Sequence, residues 1–177
     1  MNFDQKFRFC PACGSGSFTP NNVKSMRCSD CGFVWYMNPS AAVAAFILND
    51  KGELLVCRRA KEPAKGTFDL PGGFTDNDET AEEAIAREVM EETGTRVVTA
   101  NYLFSLPNLY LYSGLTIPTM DLFFECTTED LGLLKAADDV ESCLFIPVTN
   151  LQPDEFGLAS IKKAIEMYKK SSVSLRL

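Results

Sequence analysis

The sequence predicts a mixed α/β domain that follows a small metal-binding module. Four of the seven cysteines lie near the start of the chain, in a segment with few aliphatic residues. Beyond that segment, apolar strand-like runs alternate with turns and with two helical patterns, which is typical of helices packed on a sheet. We therefore expect a module at residues 1–37 and a single domain at 38–177, a division that suits a chain of 177 residues.

Composition excludes several classes of function. The chain carries 17 basic and 24 acidic residues, and its net charge of −7 at pH 7 disfavours bulk binding to nucleic acid or to an anionic membrane. It contains no histidine, which excludes Ser-His and Cys-His catalysis and histidine-ligated metals. No apolar signal core opens the chain and no run of about 18 apolar residues occurs, so we expect a cytoplasmic protein without a membrane span.

Two C-x-x-C pairs predict a closed zinc site in the first module. The four residues are Cys10, Cys13, Cys28 and Cys31. Four thiolates satisfy the tetrahedral preference of Zn²⁺ and leave no open position for chemistry, so this zinc would be structural. Unpaired cysteines in a core are the alternative, and the occurrence of two C-x-x-C spacings within 22 residues argues against it. Cys57, Cys126 and Cys143 lie in apolar strand contexts and are interpreted as small buried hydrophobic residues.

Two helices and seven strands are predicted after the first module. The first helix spans 80–93: Thr80 and Glu83 form a capping box at its start, and Gly94 ends it. The second helix spans 158–170 and is amphipathic. We expect the first two strands to form a hairpin across the turn at 49–52. The predicted strands are 41–48, 53–57, 67–70, 97–104, 108–112, 119–126 and 142–147.

The first predicted helix gathers acidic side chains on one face. Glu88, Glu91 and Glu92 are three or four positions apart, where like charges repel and lower helix stability. A bound cation would offset this repulsion, and a set of oxygen ligands suits Mg²⁺ or Mn²⁺. A solvated acidic face is the alternative. The turn at Gly72 and Gly73 favours the metal site, because glycine lets the backbone approach closely and a carbonyl there could add a ligand.

A pattern of eight residues runs from this glycine turn to the end of the helix. It comprises Gly73, Glu79, Arg87, Glu88, Val89, Glu91, Glu92 and Gly94. The pattern resembles the Nudix hydrolase signature G-x5-E-x7-R-E-U-x-E-E-x-G-U, where U is aliphatic; Thr95 departs from it at the last position. The resemblance implies a Nudix-type sheet sandwiched by helices. It also implies hydrolysis of a nucleoside diphosphate linked to a further moiety.

The resemblance also implies roles for individual residues. The implied Mg²⁺ or Mn²⁺ ligands are Glu88, Glu91, Glu92 and a backbone carbonyl at Gly72 or Gly73. Glu79 and Arg87 would orient these carboxylates, and Arg87 can pair with Glu79, Glu91 or Glu83. A further acid is implied from a later loop, where Asp138 and Glu141 are the candidates and a solvated turn is the alternative. Glu88, Glu91 or the loop acid would accept the proton of the attacking water.

The first module extends the resemblance to ribbon-bearing enzymes. The cysteines, Trp35-Tyr36 and Pro39 look like the zinc ribbon plus Nudix arrangement of NADH pyrophosphatases, without their further N-terminal domain. Those enzymes carry the motif S-Q-P-W-P-F-P-x-S, of which this chain matches only Ser105 and Pro107. The NADH preference therefore does not carry over, whereas the chemistry does.

Four side chains are candidates for substrate binding: three aromatic residues and Arg58, one of two adjacent arginines. Phe74, Tyr36 and Tyr110 offer aromatic faces on which a base or nicotinamide could stack, and core or interface positions are the alternative. Arg58 and Arg59 leave a strand in opposite directions, so one could reach a phosphate and we expect the other to be solvated.

These observations predict a Mg²⁺- or Mn²⁺-dependent pyrophosphohydrolase with a structural zinc. Its substrate would be a small nucleotide such as NADH or ADP-ribose, and a capped RNA and a homodimer stay open. The competing hypothesis is a nucleotide sensor without turnover, whose ribbon binds nucleic acid or protein through the basic residues of the first module. A redox-active C-x-x-C protein is a third reading, and the surroundings of the pairs lack a thioredoxin-like pattern.

Overall fold

The computed structural model describes residues 3–132 and 134–174. The chain forms two compact units. The first consists of Met1–Ser40 and Leu109–Thr119, and the second of Ala41–Asn108 and Met120–Leu177. The cysteine module thus shares its unit with a later segment that the sequence did not group with it.

The first unit, here called the cysteine unit, contains a three-stranded antiparallel sheet. Its elements are α1 (Phe3–Lys6), β1 (Phe18–Asn22), β2 (Ser25–Cys28) and β3 (Val34–Tyr36). The small core contains Phe18, Met26 and Met37 beside two of the cysteines, and Leu115 from the later segment packs against it. This apolar content is low for a folded unit, and two of the four paired cysteines lie within the core itself.

The second unit contains the two main sheets and the two long helices. Its elements are β4 (Ser40–Ile47), β5 (Glu53–Arg59), β6 (Phe68–Asp69), β7 (Gly72–Phe74), α2 (Ala81–Thr93), β8 (Val97–Tyr112), β9 (Leu115–Thr128), β10 (Val140–Pro147) and α3 (Ala159–Ser174). One sheet has the order β10-β5-β6, and the other has the order β7-β4-β9-β8. Strands β8 and β9 also supply the later segment of the cysteine unit.

Strand β4 separates two hydrophobic cores. Alternate residues of this strand face opposite sides: Phe46 lies in the core that contains Ile165 of α3, and Ile47 lies in the core that contains Ile85 and Val89 of α2. Tyr168 of α3 also stacks on Phe46, with ring centroids 4.2 Å apart. The predicted α/β sandwich is therefore confirmed.

Several predicted elements differ from the structure. The predicted hairpin of the first two strands forms only at its turn, where Asn49 N donates to the Glu53 carbonyl and Leu48 and Leu54 share an antiparallel bridge. Pairing along the strands is wrong, because β4 and β5 belong to different sheets. Both strands are largely buried, so each needs neighbours that cover both of its faces, and the turn carries the chain from one sheet to the other.

The predicted strands 97–104 and 108–112 form one continuous strand, β8. Strand β8 lies at the edge of its sheet, where Pro107 can be tolerated because one side of the strand needs no ladder donor. The glycine turn also forms a short strand, β7, which the sequence did not predict. Among the described residues, no helix is long and apolar enough to cross a membrane.

Candidate active site

Helix α2 starts and ends as its sequence predicts. The Thr80 hydroxyl accepts from the Glu83 backbone N–H at 3.2 Å, and the Glu83 carboxylate accepts from the Thr80 N–H at 2.8 Å. Gly94 ends the helix in the left-handed conformation, with φ 72°. Glu83 serves this cap, so the predicted pairing of Glu83 with Arg87 does not form. Ile85 and Val89 bury the opposite face of the helix in the core.

Arg87 organises the acidic face of α2. Its guanidinium makes two parallel bonds to Glu79, Nε–Oε1 at 2.8 Å and Nη2–Oε2 at 2.9 Å. Nη1 donates to Glu88 at 2.9 Å and to Glu91 at 3.1 Å, and Nη2 donates to the Phe74 carbonyl at 3.0 Å. The bond to Arg87 lowers the pKa of Glu79 to about 2. Arg87 therefore connects Glu79 with Glu88 and Glu91 within the eight-residue pattern from Gly73 to Gly94, which is here called the glutamate box or the box. The orienting role that the resemblance implies for Glu79 and Arg87 stays a prediction.

Glu92 is the most deeply buried carboxylate of the box. Its side chain accepts one hydrogen bond, from the Gly72 backbone N–H at 2.9 Å, and the residue is only 7% exposed. Burial raises the pKa of Glu92 to about 9, and the negative charges of Asp69 and Glu88 add to this effect, although the Gly72 N–H opposes it. Glu92 is thus a buried acid without a cationic partner among the described residues.

Glu88 lies against the backbone of strand β7. A Cβ atom at Gly73 would come within 2.5 Å of Glu88 Oε1, so only glycine permits this approach. At Gly72 a Cβ atom would lie 2.0 Å from the Val43 carbonyl oxygen. The absence of a side chain at Gly72 therefore allows β7 to approach β4 closely. Burial raises the pKa of Glu88, Arg87 lowers it, and nearby negative charges raise it further.

The chemistry of this donor set fits a hard divalent cation. Glu88 and Glu92 converge on the Gly72–Gly73 backbone from one helix face, and both have raised pKa values because burial leaves their charge poorly compensated. A cation would stabilise the ionised forms, and carboxylate and carbonyl oxygens are the ligands that Mg²⁺ and Mn²⁺ prefer. Glu91 lies on the open side of the cluster, with a side chain that is 48% exposed.

The loop before β10 contacts the end of α2. The Ala137 N–H donates to the Glu92 carbonyl oxygen at 3.1 Å. Asp138 acts electrostatically on Glu88 and lies 3.6 Å from Lys61, which also pairs with Asp139. The structure thus brings Asp138 towards the acidic cluster, whereas Glu141 is an exposed residue of β10.

Neither candidate arginine extends freely into solvent. Arg58 donates to the Gly66 carbonyl and lies 4.6 Å from the centroid of the Phe68 ring. Arg59 binds the buried Asp69 carboxylate, Nη1–Oδ2 at 2.5 Å. The expectation that one arginine is solvated is therefore wrong, because the loop after β5 folds back and supplies acceptors to both.

Sequence reasoning missed Asp69. Burial raises the pKa of this acid even though Arg59 opposes the shift. Asp69 also contributes to the raised pKa of Glu92, so it belongs to the electrostatic surroundings of the site. Its position two residues before the Pro71-Gly72-Gly73 turn is the only signal in the sequence that could have found it.

The aromatic candidates lie in different units. Phe74 is 38% exposed on β7, and its carbonyl binds Arg87, so it belongs to the box. Tyr36, which is 48% exposed, and the half-buried Tyr110 belong to the cysteine unit. Stacking by these side chains stays a prediction.

The four cysteines converge as predicted. Their sulfur atoms all lie within 4.8 Å of one another. Among the described residues, no group of three or more acidic side chains comes together in the same way. Gly14 and Gly32 follow the two pairs in the same left-handed conformation, with φ 75° and 76°. Hydrogen bonds from the Cys31 and Asp30 backbone lower the pKa of Cys28, whereas the pKa values of Cys13 and Cys31 are raised, because thiols this close together do not all ionise without a cation. The cluster fits a zinc ribbon.

Comparisons with known proteins identify the family to which most of the chain is similar. Residues 38–166 match the family model for the NUDIX domain. The NAD-capped RNA hydrolase NudC of Vibrio parahaemolyticus is 34% identical over 105 residues, which cover 58% of this chain and 39% of the relative. An ADP-ribose pyrophosphatase of Methanocaldococcus jannaschii is 34% identical over 140 residues, which cover 76% of this chain and 77% of the relative.

A solved structure shows the same fold. A NUDIX hydrolase from Nitrosomonas europaea has a TM-score of 0.70 and 23% identity, with coverage of 92% of this chain and 90% of that chain. The matched region spans about two fifths of the length of NudC relatives such as the Vibrio enzyme. The family match covers most of the chain and contains the whole glutamate box, and the chain therefore belongs to the NUDIX domain family.

Proposed function

We propose that this protein is a Mg²⁺- or Mn²⁺-dependent pyrophosphohydrolase that cleaves a nucleoside diphosphate linked to a further moiety. The observation that carries the proposal is the pair of carboxylates, buried Glu92 and largely covered Glu88, against the glycine backbone of β7. Burying two like charges costs free energy unless a cation compensates them. A divalent cation held there would neutralise pyrophosphate oxygens and acidify a water molecule.

The residues of the chain divide the remaining work. Glu88, Glu92 and a carbonyl of the glycine turn would hold the cation, and Arg87 fixes the Glu88 carboxylate through its hydrogen bond. Glu91 is the most exposed acid of the helix cluster, which suits a group that accepts a proton from water. Asp138 is the loop acid that we propose for a supporting role, and Glu141 is the weaker candidate because it is exposed on β10.

We infer that the substrate is an adenylate-containing pyrophosphate such as ADP-ribose or a dinucleotide. Support comes from the relatives whose names specify ADP-ribose pyrophosphatase and NAD-capped RNA hydrolase. The net charge of −7 disfavours a long RNA. Tyr110, Tyr36 and Phe74 are the proposed stacking residues. Arg58 could contact a phosphate only by leaving the Gly66 carbonyl.

We further propose a structural zinc in the cysteine unit and a domain boundary between residues 37 and 38. The convergent sulfur atoms support the zinc. The start of the family match at residue 38 supports the boundary. A homodimer remains a prediction.

A substrate panel tests the hydrolase. Purified protein is incubated with Mg²⁺ or Mn²⁺ and with ADP-ribose, NADH, NAD, diadenosine polyphosphates or nucleoside triphosphates, and products are separated by chromatography. We expect the highest kcat/KM for ADP-ribose or a dinucleotide. Glu82→Gln is the matched control for the box variants, because it removes one exposed charge from the same helix. Binding of a nucleotide without turnover of any compound would favour the sensor instead.

The aromatic assignment has its own variant. Tyr110→Ala is expected to raise KM for a dinucleotide and to leave kcat nearly unchanged, because loss of a stacking face weakens binding of substrate and transition state alike. Tyr36→Ala removes the other proposed stacking residue of the same unit and should also raise KM. An unchanged KM for the Tyr110 variant would assign this tyrosine to the fold.

A further inference from the structure

Two cysteines that the predicted function does not use face each other inside the second unit. Cys57 of β5 and Cys143 of β10 are directly opposed in an antiparallel pair, and their sulfur atoms lie 3.6 Å apart. Opposed residues in antiparallel strands have Cα atoms about 4.5–5.5 Å apart, which is within the range that a disulfide spans. Only about 1.5 Å of sulfur movement separates these thiols from a bond of about 2.05 Å.

The two thiols differ in their access to solvent. Cys57 is 1% exposed, whereas Cys143 is partly exposed, so a small oxidant can reach one member of the pair and the other can then react with it. Cys126 offers an internal comparison, because it lies in the hydrophobic core against which Cys143 packs and is a free cysteine. Simple packing accounts for Cys126 and leaves the facing pair unexplained.

We propose that Cys57 and Cys143 form a modifiable dithiol that a peroxide closes into an intrachain disulfide and that a thiol reductant reopens. The Cys143 thiol loses its proton and its thiolate attacks a peroxide oxygen; the O–O bond breaks, a sulfenic acid forms, and the leaving hydroxide takes up the released proton to give water. The Cys57 sulfur then attacks the Cys143 sulfur, the S–O bond breaks, and the departing hydroxide takes the Cys57 proton. Two thiols and one hydrogen peroxide thus give one disulfide and two water molecules.

This pair lies beside the acidic cluster. Cys57 is paired in register with Asp69 of β6 and lies within electrostatic range of Glu92. Strand β10, which carries Cys143, follows the loop whose Ala137 N–H binds the Glu92 carbonyl. A covalent link between β5 and β10 would alter this support of Glu92, so we expect oxidation to lower turnover. This last expectation rests on the proposed hydrolase function, whereas formation of the link does not.

Peptide mapping tests the link directly. Zinc-loaded protein is treated with a small excess of hydrogen peroxide, free thiols are alkylated, and tryptic peptides are analysed by mass spectrometry without reduction. Cys57 and Cys143 fall in different tryptic peptides, so we expect one linked species that has lost two hydrogens and that dithiothreitol separates. Cys143→Ser should abolish this species, and Cys126→Ser should leave it unchanged.

Two results would overturn the proposal. One is that Cys57 and Cys143 are both still alkylated as free thiols at a peroxide dose that has already oxidised the zinc cysteines. The other is oxidation of Cys143 to a sulfinic acid without any linked peptide. If the link forms and turnover stays the same, the coupling to Glu92 is wrong. Failure of every hydrolysis assay would leave the mapping result intact, so the two proposals fail separately.

Discussion

Replacing Glu92 by glutamine distinguishes the effect of this buried acid on folding stability from its proposed role in hydrolysis. The variant keeps nearly the same shape, and its amide oxygen can still accept the Gly72 N–H, but it can neither ionise nor provide a charged ligand. We expect Glu92→Gln to abolish most hydrolysis and, without added divalent cation, to be more stable than the original protein at pH 7.

The size of the stabilisation follows from proton linkage. The pKa of Glu92 rises from 4.5 to about 9, so the folded protein holds a proton that the unfolded chain has released at pH 7. A raised pKa contributes stability fully below pH 4.5 and loses it as the pH rises towards 9. With about 1.4 kcal/mol for each pH unit, the loss at pH 7 is roughly 3 kcal/mol at most. Glutamine avoids this loss, so the two proteins should differ little at pH 4.5.

Thermal unfolding measured at several pH values tests this reasoning. Circular dichroism is the suitable signal, because the only tryptophan, Trp35, lies in the cysteine unit. For a chain of this size, 3 kcal/mol corresponds to a rise in Tm of about 6–12 °C. Added Mg²⁺ should stabilise the original protein and the Glu82→Gln control, and should have little effect on Glu92→Gln. Equal Tm values across the pH range, or near-normal turnover by the variant, would refute the reasoning.

Two further predictions concern the zinc and the arginine clamp. Elemental analysis after dialysis should find one zinc per chain, and Cys28→Ser should lose the metal and unfold the cysteine unit; less than half an equivalent with freely titratable thiols would contradict this. Glu79 has its pKa lowered to about 2 by Arg87, so it contributes stability above pH 4.5 that is lost as the pH falls towards 2. Glu79→Gln should therefore show a shallower loss of stability between pH 4.5 and 2, and an unchanged slope in acid titration would count against the clamp.

Local patterns in the sequence predicted the features that one helix or one turn determines. The capping box, the shared face of Glu88 and Glu92 and the convergence of the two cysteine pairs all follow from spacings of a few residues. Such spacings fix geometry because helical and knuckle conformations repeat from protein to protein.

Features that depend on strand register were not predictable in the same way. The hairpin of β4 and β5 was the obvious local pairing, yet β5 pairs with β10, which begins 81 positions after β5 ends. This register places Cys57 opposite Cys143. Strand β6 and the loop after β5 supply the partners that keep Arg59 and Arg58 from extending freely into solvent. A single sequence carries no periodic signal for such distant partners.

The carboxylates of the glutamate box differ in how far Arg87 compensates their charge, and this difference indicates which of them would bind a cation. Arg87 binds Glu79 with two bonds and touches Glu88 and Glu91 on the same side of the cluster. Glu92 receives only a backbone N–H, and its pKa is raised accordingly. If the box were a solvated acidic face, the least compensated carboxylate would be the most exposed one. The opposite holds, because Glu92 is the most buried of these carboxylates, and this favours the proposed cation beside Glu92 and Glu88 over a solvated acidic face.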